Sequence, residues 1–151
     1  MANDGIKVTG HIWVRKNGEL VCERDNIVTT AGKNALATLL NSASAGTSLV
    51  SHMGFGTAVT AVAAADTALG TELVIGSNGY NRVTVTRSNP SANVIQYVAT
   101  LTGISSAVTV QEAGLFSAAT AGTLVAHQLT GAVALSSASD SLQITWQITF
   151  S

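Results

Sequence analysis

The chain has 151 residues, 46% hydrophobic and only 10% charged, with a formal net charge of −1 at pH 7. A soluble domain ordinarily carries about 25% charged residues, so the polar surface here is built from Ser, Thr, Asn and Gln. The length supports one domain with a real core, and the seven basic residues, all at or before Arg87, form no basic patch of the kind that binds nucleic acid by counterion release. Cys22 is the single cysteine, which excludes an internal disulfide. The start, Met1 to Gly5, is polar, and no run approaches eighteen apolar residues. Neither a signal peptide nor a membrane span is expected.

Residues 6–14 and 18–24 read as the arms of a β-hairpin. Ile12 and Val14 alternate with Trp13 and Arg15. Asn17-Gly18 supplies the two positive-φ positions that a tight hairpin turn needs. Cys22 reads as a small buried hydrophobe on the second arm. Extended chain continues through Ile27 to Thr29. A helix follows over residues 31–41, with Thr30 as N-cap, Ala35, Leu36, Leu39 and Leu40 on one face, and Asn41 as C-cap. A Ser/Ala/Gly loop comes next.

Val50 to Phe55 is a short apolar strand ending at Gly56. Residues 57–78 read as a long irregular connection, a length that compact domains keep when the segment has work to do. Residues 80–87 alternate, with Val83 and Val85 against Arg82, Thr84 and Thr86, and Asn89-Pro90 is expected to break that strand. Further strands are read at Ile95 to Leu101, Ala107 to Gln111 and Leu124 to Leu129. The last strand is the clearest. Leu142, Ile144, Trp146, Ile148 and Phe150 point one way, and Gln143, Thr145, Gln147 and Thr149 the other. The expected fold is mainly β, an antiparallel β-sandwich or barrel of jelly-roll type with one short helix. It forms a single domain over residues 1–151, with residues 1–25 as an N-terminal hairpin extension. Trp146 and Phe150 are expected to anchor the core, each worth roughly 2–3 kcal/mol when buried.

No catalytic, metal or cofactor arrangement is legible. His11, His52 and His127 lack the close pairing that zinc ligands show. His52 reads as a satisfied structural residue. No nucleophile elbow or phosphate loop occurs. Gly54 and Gly56 read as sites of close backbone approach, and Asp66 as a cap or Asx-turn. Glu112 is an isolated carboxylate in a nearly uncharged half of the chain, and Arg82 is its expected partner in a salt bridge joining two strand regions.

Several short signatures stand in order: Thr29-Thr30-Ala31-Gly32, Gly54-Phe55-Gly56, Thr67-Ala68-Leu69-Gly70-Thr71-Glu72, Arg82 and Glu112-Ala113-Gly114-Leu115-Phe116. In this order they resemble the N-terminal docking end of tail-collar fibre proteins of tailed bacteriophages, over about residues 26–129. The resemblance implies that Thr30 opens the helix and that Glu112 to Phe116 is a turn. Fibre proteins continue into a long trunk, whereas this chain carries a preceding hairpin and runs to Ser151. A compact stand-alone virion protein fits that difference, as the capsid decoration proteins are.

The expected function is therefore non-enzymatic: a capsid decoration, or cement, protein located in the virion and assembled in the host cytoplasm. Its partners would be other virion proteins, either the major capsid protein or tail and baseplate subunits, with no nucleic acid or membrane. Ile12, Trp13 and Arg15 on the hairpin are the expected contact residues. Strands after residue 88 carry little charge to guard an open edge, which points to a homo-oligomer, a trimer before a dimer, joined through the C-terminal half. The alternatives are a tail adaptor or fibre-docking protein, a glycan-binding tail module using Trp13, Trp146, Tyr80 or Tyr97, and a small hydrolase using Glu112.

Overall fold

The computed structural model describes residues 5–41 and 49–151. The Ser/Ala/Gly loop expected after Asn41 and the first four residues lie outside them. Among the described residues nine antiparallel strands form one sheet that curls into a nearly closed barrel, with one helix. In chain order they are β1 (Val8–Lys16), β2 (Glu19–Val28), α1 (Thr30–Leu40), β3 (His52–Gly56), β4 (Val83–Thr84), β5 (Thr86–Ser91), β6 (Val94–Leu101), β7 (Val108–Phe116), β8 (Leu124–Leu135) and β9 (Leu142–Phe150). Across the sheet the order is β4-β3-β7-β8-β2-β1-β9-β6-β5. Its two end strands, β4 and β5, are consecutive in the chain and separated by Val85, whose N–H bonds to the Ser51 carbonyl at 3.0 Å.

The first hairpin turns at Asn17 (φ 49°) and Gly18 (φ 85°), the left-handed pair that a two-residue turn requires. This hairpin is not an extension. β1 pairs along its whole length with β9 as well as with β2, and it sends Ile12 and Val14, both fully buried, into the core. Residues 1–25 read as an extension because the alternation of β1 is visible in the sequence while its second neighbour, more than 120 residues away, is not. Cys22 on the other arm is only partly buried.

The barrel interior takes every second residue of the last strand. Leu142, Ile144 and Trp146 are fully buried and Ile148 nearly so, while Phe150 at the strand end packs half-buried against the same core. Tyr97, Ala99 and Leu101 of β6 face them. Pro90 does not end its strand. β5 is an end strand, so a residue without an N–H costs no ladder bond there, and the register shifts between Ser88 and Ser91 to accommodate it.

The β7 strand runs five residues further than its alternation suggests, through Phe116. The sequence Glu112 to Phe116 is strand, not turn. All five of its residues are buried because both faces of the sheet are covered there: Ala113 and Leu115 face the barrel, and Phe116 packs outward with Leu69 and Leu124. The outer cover is the connection from residue 57 to 82. It forms no strand, makes a single bridge from Glu72 to Gly56, and lies as a strap across the outside of β3, β7 and β8.

Helix α1 begins one residue earlier than expected. Thr29, not Thr30, is the N-cap: its hydroxyl oxygen accepts the Gly32 N–H at 3.0 Å and donates to the Leu124 carbonyl at 2.5 Å. Thr29 thus fixes the helix start to β8. Gly32 is the helix's buried residue and rests on the Val125 backbone, where a Cβ would collide. Asn41 is the C-cap, as expected. Leu36 and Leu39 line a cavity of about 380 Å³ between the helix and the barrel end, whereas Leu40 points away and is 78% exposed.

Candidate functional site

The signatures from Gly54 onward come together where the strap meets β3 and β7, while Thr29 to Gly32 sits at the helix start against β8. β3 presents Gly54 and Gly56 on its outer face, with Met53 and Phe55 directed inward. Without side chains at these two positions the strap approaches the sheet closely. A Cβ on Gly54 would lie 2.8 Å from the Phe116 ring and 3.1 Å from Glu72 Oε1, and one on Gly56 would lie 2.5 Å from the Thr71 carbonyl.

Two polar groups hold the strap down. In the first, Glu112 on β7 is almost completely buried and accepts backbone N–H bonds from Thr71 (2.7 Å), Gly70 (2.9 Å) and Ala58 (3.3 Å). Its Oε2 also lies 2.9 Å from His127 Nε2 on β8. The other ring nitrogen of His127, Nδ1, lies 2.8 Å from Asp66 Oδ2 on the strap. Ionised carboxylates only accept, so both contacts are made together when the imidazole is doubly protonated or one carboxyl carries the shared proton. Burial of Asp66 pushes its pKa up. The Ala63 N–H, the hydrogen bond to His127 and the positive charge of that ring outweigh burial, and the net shift is downward. Asp66 does accept the Ala63 N–H as a local turn, at 2.8 Å, and serves the histidine with the same oxygen.

In the second group, Arg82 grips Glu72 with two hydrogen bonds, Nε to Oε1 at 2.7 Å and Nη2 to Oε2 at 2.8 Å. Its Nη1 donates to the carbonyls of Ala118 (3.1 Å) and Ala121 (2.6 Å), and its guanidinium lies 3.5 Å above the Phe116 ring. Ala121 holds a positive φ of 51° to aim its carbonyl there. Tyr80 donates its hydroxyl to Glu72 at 3.0 Å and accepts the Phe55 N–H at 2.9 Å. Burial, the largest influence, raises the Tyr80 hydroxyl well above the ordinary phenol range, so it stays a neutral donor. The guanidinium therefore ties together the strap, β7 and the β7–β8 turn.

The expected Arg82–Glu112 salt bridge does not form: each has a different partner. Arg82 pairs with Glu72, ten residues away, and Glu112 with His127. The reason is facial. Both acids lie on the outer side of the sheet, but the strap reverses between residues 72 and 82 and returns its own carboxylate to the arginine. Glu72, Tyr80, Asp66 and His127 completed the cluster without being singled out as a group. His127 carried a usable signal, since an ionisable residue within the apolar run Leu124 to Leu129 must find partners.

The other expected residues divide. Trp146 anchors the core, although its indole Nε1 has no hydrogen-bond partner among the described residues. Ile12 is fully buried inside the barrel, which removes it as a contact residue: it sits on the inward phase of β1. Trp13 and Arg15, on the opposite phase, face outward and are partly exposed. Of the aromatic residues considered for sugar stacking, Trp146, Tyr80 and Tyr97 are buried in the core, leaving Trp13. His52 bonds to the Ser51 hydroxyl at 2.8 Å.

A cavity of about 120 Å³ adjoins Asp66, Glu112 and His127. That is room for a few water molecules, well short of the roughly 300–1,000 Å³ of small-molecule sites. Among the described residues no set of three acidic, histidine or cysteine side chains is arranged to hold a metal ion, and no helix is long and apolar enough to cross a membrane. Compared with family models, curated proteins and solved structures, the chain gives no match.

Proposed function

We propose that this chain is a non-enzymatic structural protein of a tailed-bacteriophage virion, a capsid decoration protein that binds neighbouring virion subunits. One observation carries the reading. The signatures from Gly54 onward that resemble the fibre-docking proteins supply two adjoining polar groups, centred on Glu112 and on Glu72 with Arg82, that hold the strap to the barrel. Glu112 accepts three backbone N–H groups, Arg82 is bound on three sides, and His127 is held at both ring nitrogens. Such a lock suits a module that must stay folded while loaded by its neighbours.

The motif set supports a second position as well, a tail adaptor or fibre-docking site, since it is the docking end of fibres that it resembles. Cryo-electron microscopy of purified particles carrying a tagged copy of the chain separates the two. Density over the capsid lattice is the expected result. Density at the tail supports the adaptor, and absence of the protein from particles rejects both.

A further inference from the structure

The outer face of the barrel opposite the strap, across β2, β1, β9 and β6, is built differently from the rest of the surface. One transverse row runs Asp25, His11, Gln147, Gln96, and the next Glu23, Trp13, Thr145, Val98. Trp13 and Val98 are the apolar side chains of these two rows. A specific protein interface needs an apolar centre, which this face lacks. Beside the indole and Val98 its groups are amides, hydroxyls, the Asp25–His11–Glu23 cluster and Arg15, with the exposed Leu20 opposite Arg15 on β2.

These groups are also held in place. Gln147 Nε2 donates to Gln96 Oε1 at 2.9 Å, and Gln96 Nε2 donates on to Ser88 Oγ at 3.4 Å. Gln143 Nε2 donates to Thr100 Oγ1 at 3.2 Å. Among the described residues nothing donates to the amide oxygens of Gln147 and Gln143, which leaves them to accept from outside. His11, fixed between Asp25 (2.8 Å) and Glu23 (2.9 Å), packs its ring 4.3 Å from that of Trp13 at a 58° tilt and props the indole. Arg15 has no ion-pair or hydrogen-bond partner among the described residues, so its donors are available. Trp13, Arg15, Gln96, Thr145 and Gln147 line a shallow depression of about 210 Å³.

We propose that this depression binds one ring of a neutral carbohydrate. The C–H bonds on a pyranose face carry partial positive charge and stack on the negative π face of an indole. Neighbouring hydroxyls, each a donor and an acceptor, match the amide oxygen of Gln147 and the N–H groups of Arg15, both of which line the depression. Amides already fixed by their own hydrogen bonds lose little freedom on binding. The two carboxylates at the margin are engaged by His11, and Arg15 is the one charged side chain lining the depression; with amides and a hydroxyl around it, its N–H groups are placed to donate to neutral sugar hydroxyls. The depression is smaller than sites that enclose a drug-sized molecule, which fits a single sugar unit at the end of, or within, a chain. The inference stands apart from the proposed virion position.

The test is ligand-observed NMR on the full chain, using neutral oligosaccharides ending in glucose, galactose, mannose or N-acetylglucosamine and a sialylated oligosaccharide as the charged comparison. A neutral oligosaccharide is expected to bind with Kd on the order of 1 mM or tighter. Trp13→Ala should weaken it by about tenfold or more while leaving the melting temperature unchanged, and Trp13→Phe should keep most of the binding. Gln147→Ala gives the same reading if Trp13→Ala does not fold. Failure of every neutral oligosaccharide to bind, binding unchanged in both alanine variants, or binding of the sialylated probe alone overturns the proposal. Since none of these readouts uses particles, failure here leaves the virion reading untouched, and the reverse also holds.

Discussion

Replacing Glu112 by alanine should release the strap before it unfolds the barrel. Four hydrogen bonds end on this carboxylate, three from strap N–H groups and one from His127. Gly70 and Thr71 are themselves exposed residues, so water can reach their amides once the carboxylate is gone. The histidine is the larger problem, because it is almost fully buried and loses one of its two partners. Breaking one side of a buried pair costs about 3–5 kcal/mol, a large part of a total stability of roughly 5–15 kcal/mol. For a chain of this size that corresponds to a fall in Tm of about 10 °C. Glu112→Gln keeps the shape and one acceptor, and should cost about 1–2 kcal/mol. Hydrogen exchange supplies the local readout. In Glu112→Ala the amides of Gly70 and Thr71 should lose protection, while those of β1 and β9 keep theirs up to global unfolding. A melting point within about 2 °C of the parent, or unchanged protection at Gly70 and Thr71, would show that the carboxylate does not hold the strap.

Other perturbations follow from the same geometry. Thr29→Ala removes both the cap on α1 and its bond to β8, and should cost about 1–2 kcal/mol by chemical denaturation, with Thr29→Ser restoring most of it; equal losses for both would refute the hydroxyl's role. Asp66 has a lowered folded pKa, so its contribution is complete above the unfolded value of about 3.9 and is lost as pH falls through the folded value. The acid limb of a Tm–pH curve should therefore flatten in Asp66→Asn. His11 behaves oppositely. Burial lowers its pKa, but hydrogen bonds to Asp25 and Glu23 and their charges outweigh this and raise it. Its contribution is present below about pH 6.5 and fades as pH rises through the folded value, so the difference in Tm between parent and His11→Gln should shrink with rising pH across that range. Deleting residues 1–25 should abolish cooperative unfolding by calorimetry, because β9 loses one of its two neighbours and the core loses Ile12 and Val14; a folded truncated chain would contradict the sheet order.

What could be read from the sequence was local and periodic. The Asn17-Gly18 turn, the alternation of β9 and the helix ending at Asn41 each lie within about a dozen residues, and each has a recognised turn, period or cap. The end of β7 was not readable for a physical reason. Strands covered on both faces lose their alternation, and Glu112 to Phe116 is an unbroken buried run whose outer cover, the strap, lies far earlier in the chain, with Ala58 standing 54 residues from Glu112. Glycine at 54 and 56 did signal close approach, but not what approached. The partners of Glu112 were hidden for the same reason: they are backbone N–H groups, which any residue supplies, so no side-chain type marks them. His127 was weighed only as a metal ligand beside His11 and His52, and its carboxylate partners, Asp66 and Glu112, lie 61 and 15 residues away in the chain.

The closed sheet alters the argument for self-association. Strands β6 to β9 of the C-terminal half are each paired on both sides, so the open edges that pointed to a trimer through that half are not present. The two end strands are β4, only two residues long, and β5, which carries Arg87, Pro90 and a register shift. Short length, a charge and a proline are what natural sheets use to discourage edge pairing. Assembly by adding strand to strand is thus the disfavoured route, and a homo-oligomer, trimer or dimer, would have to join through side-chain faces. The low charge of the chain still permits that, since few like charges oppose close contact. Light scattering on the purified protein distinguishes the cases. A trimer unaffected by Thr86→Pro but dissolved by charges placed on an outer face supports face-to-face packing, a trimer lost on changing β5 restores the edge, and a monomer at micromolar concentration leaves oligomer formation to the particle surface.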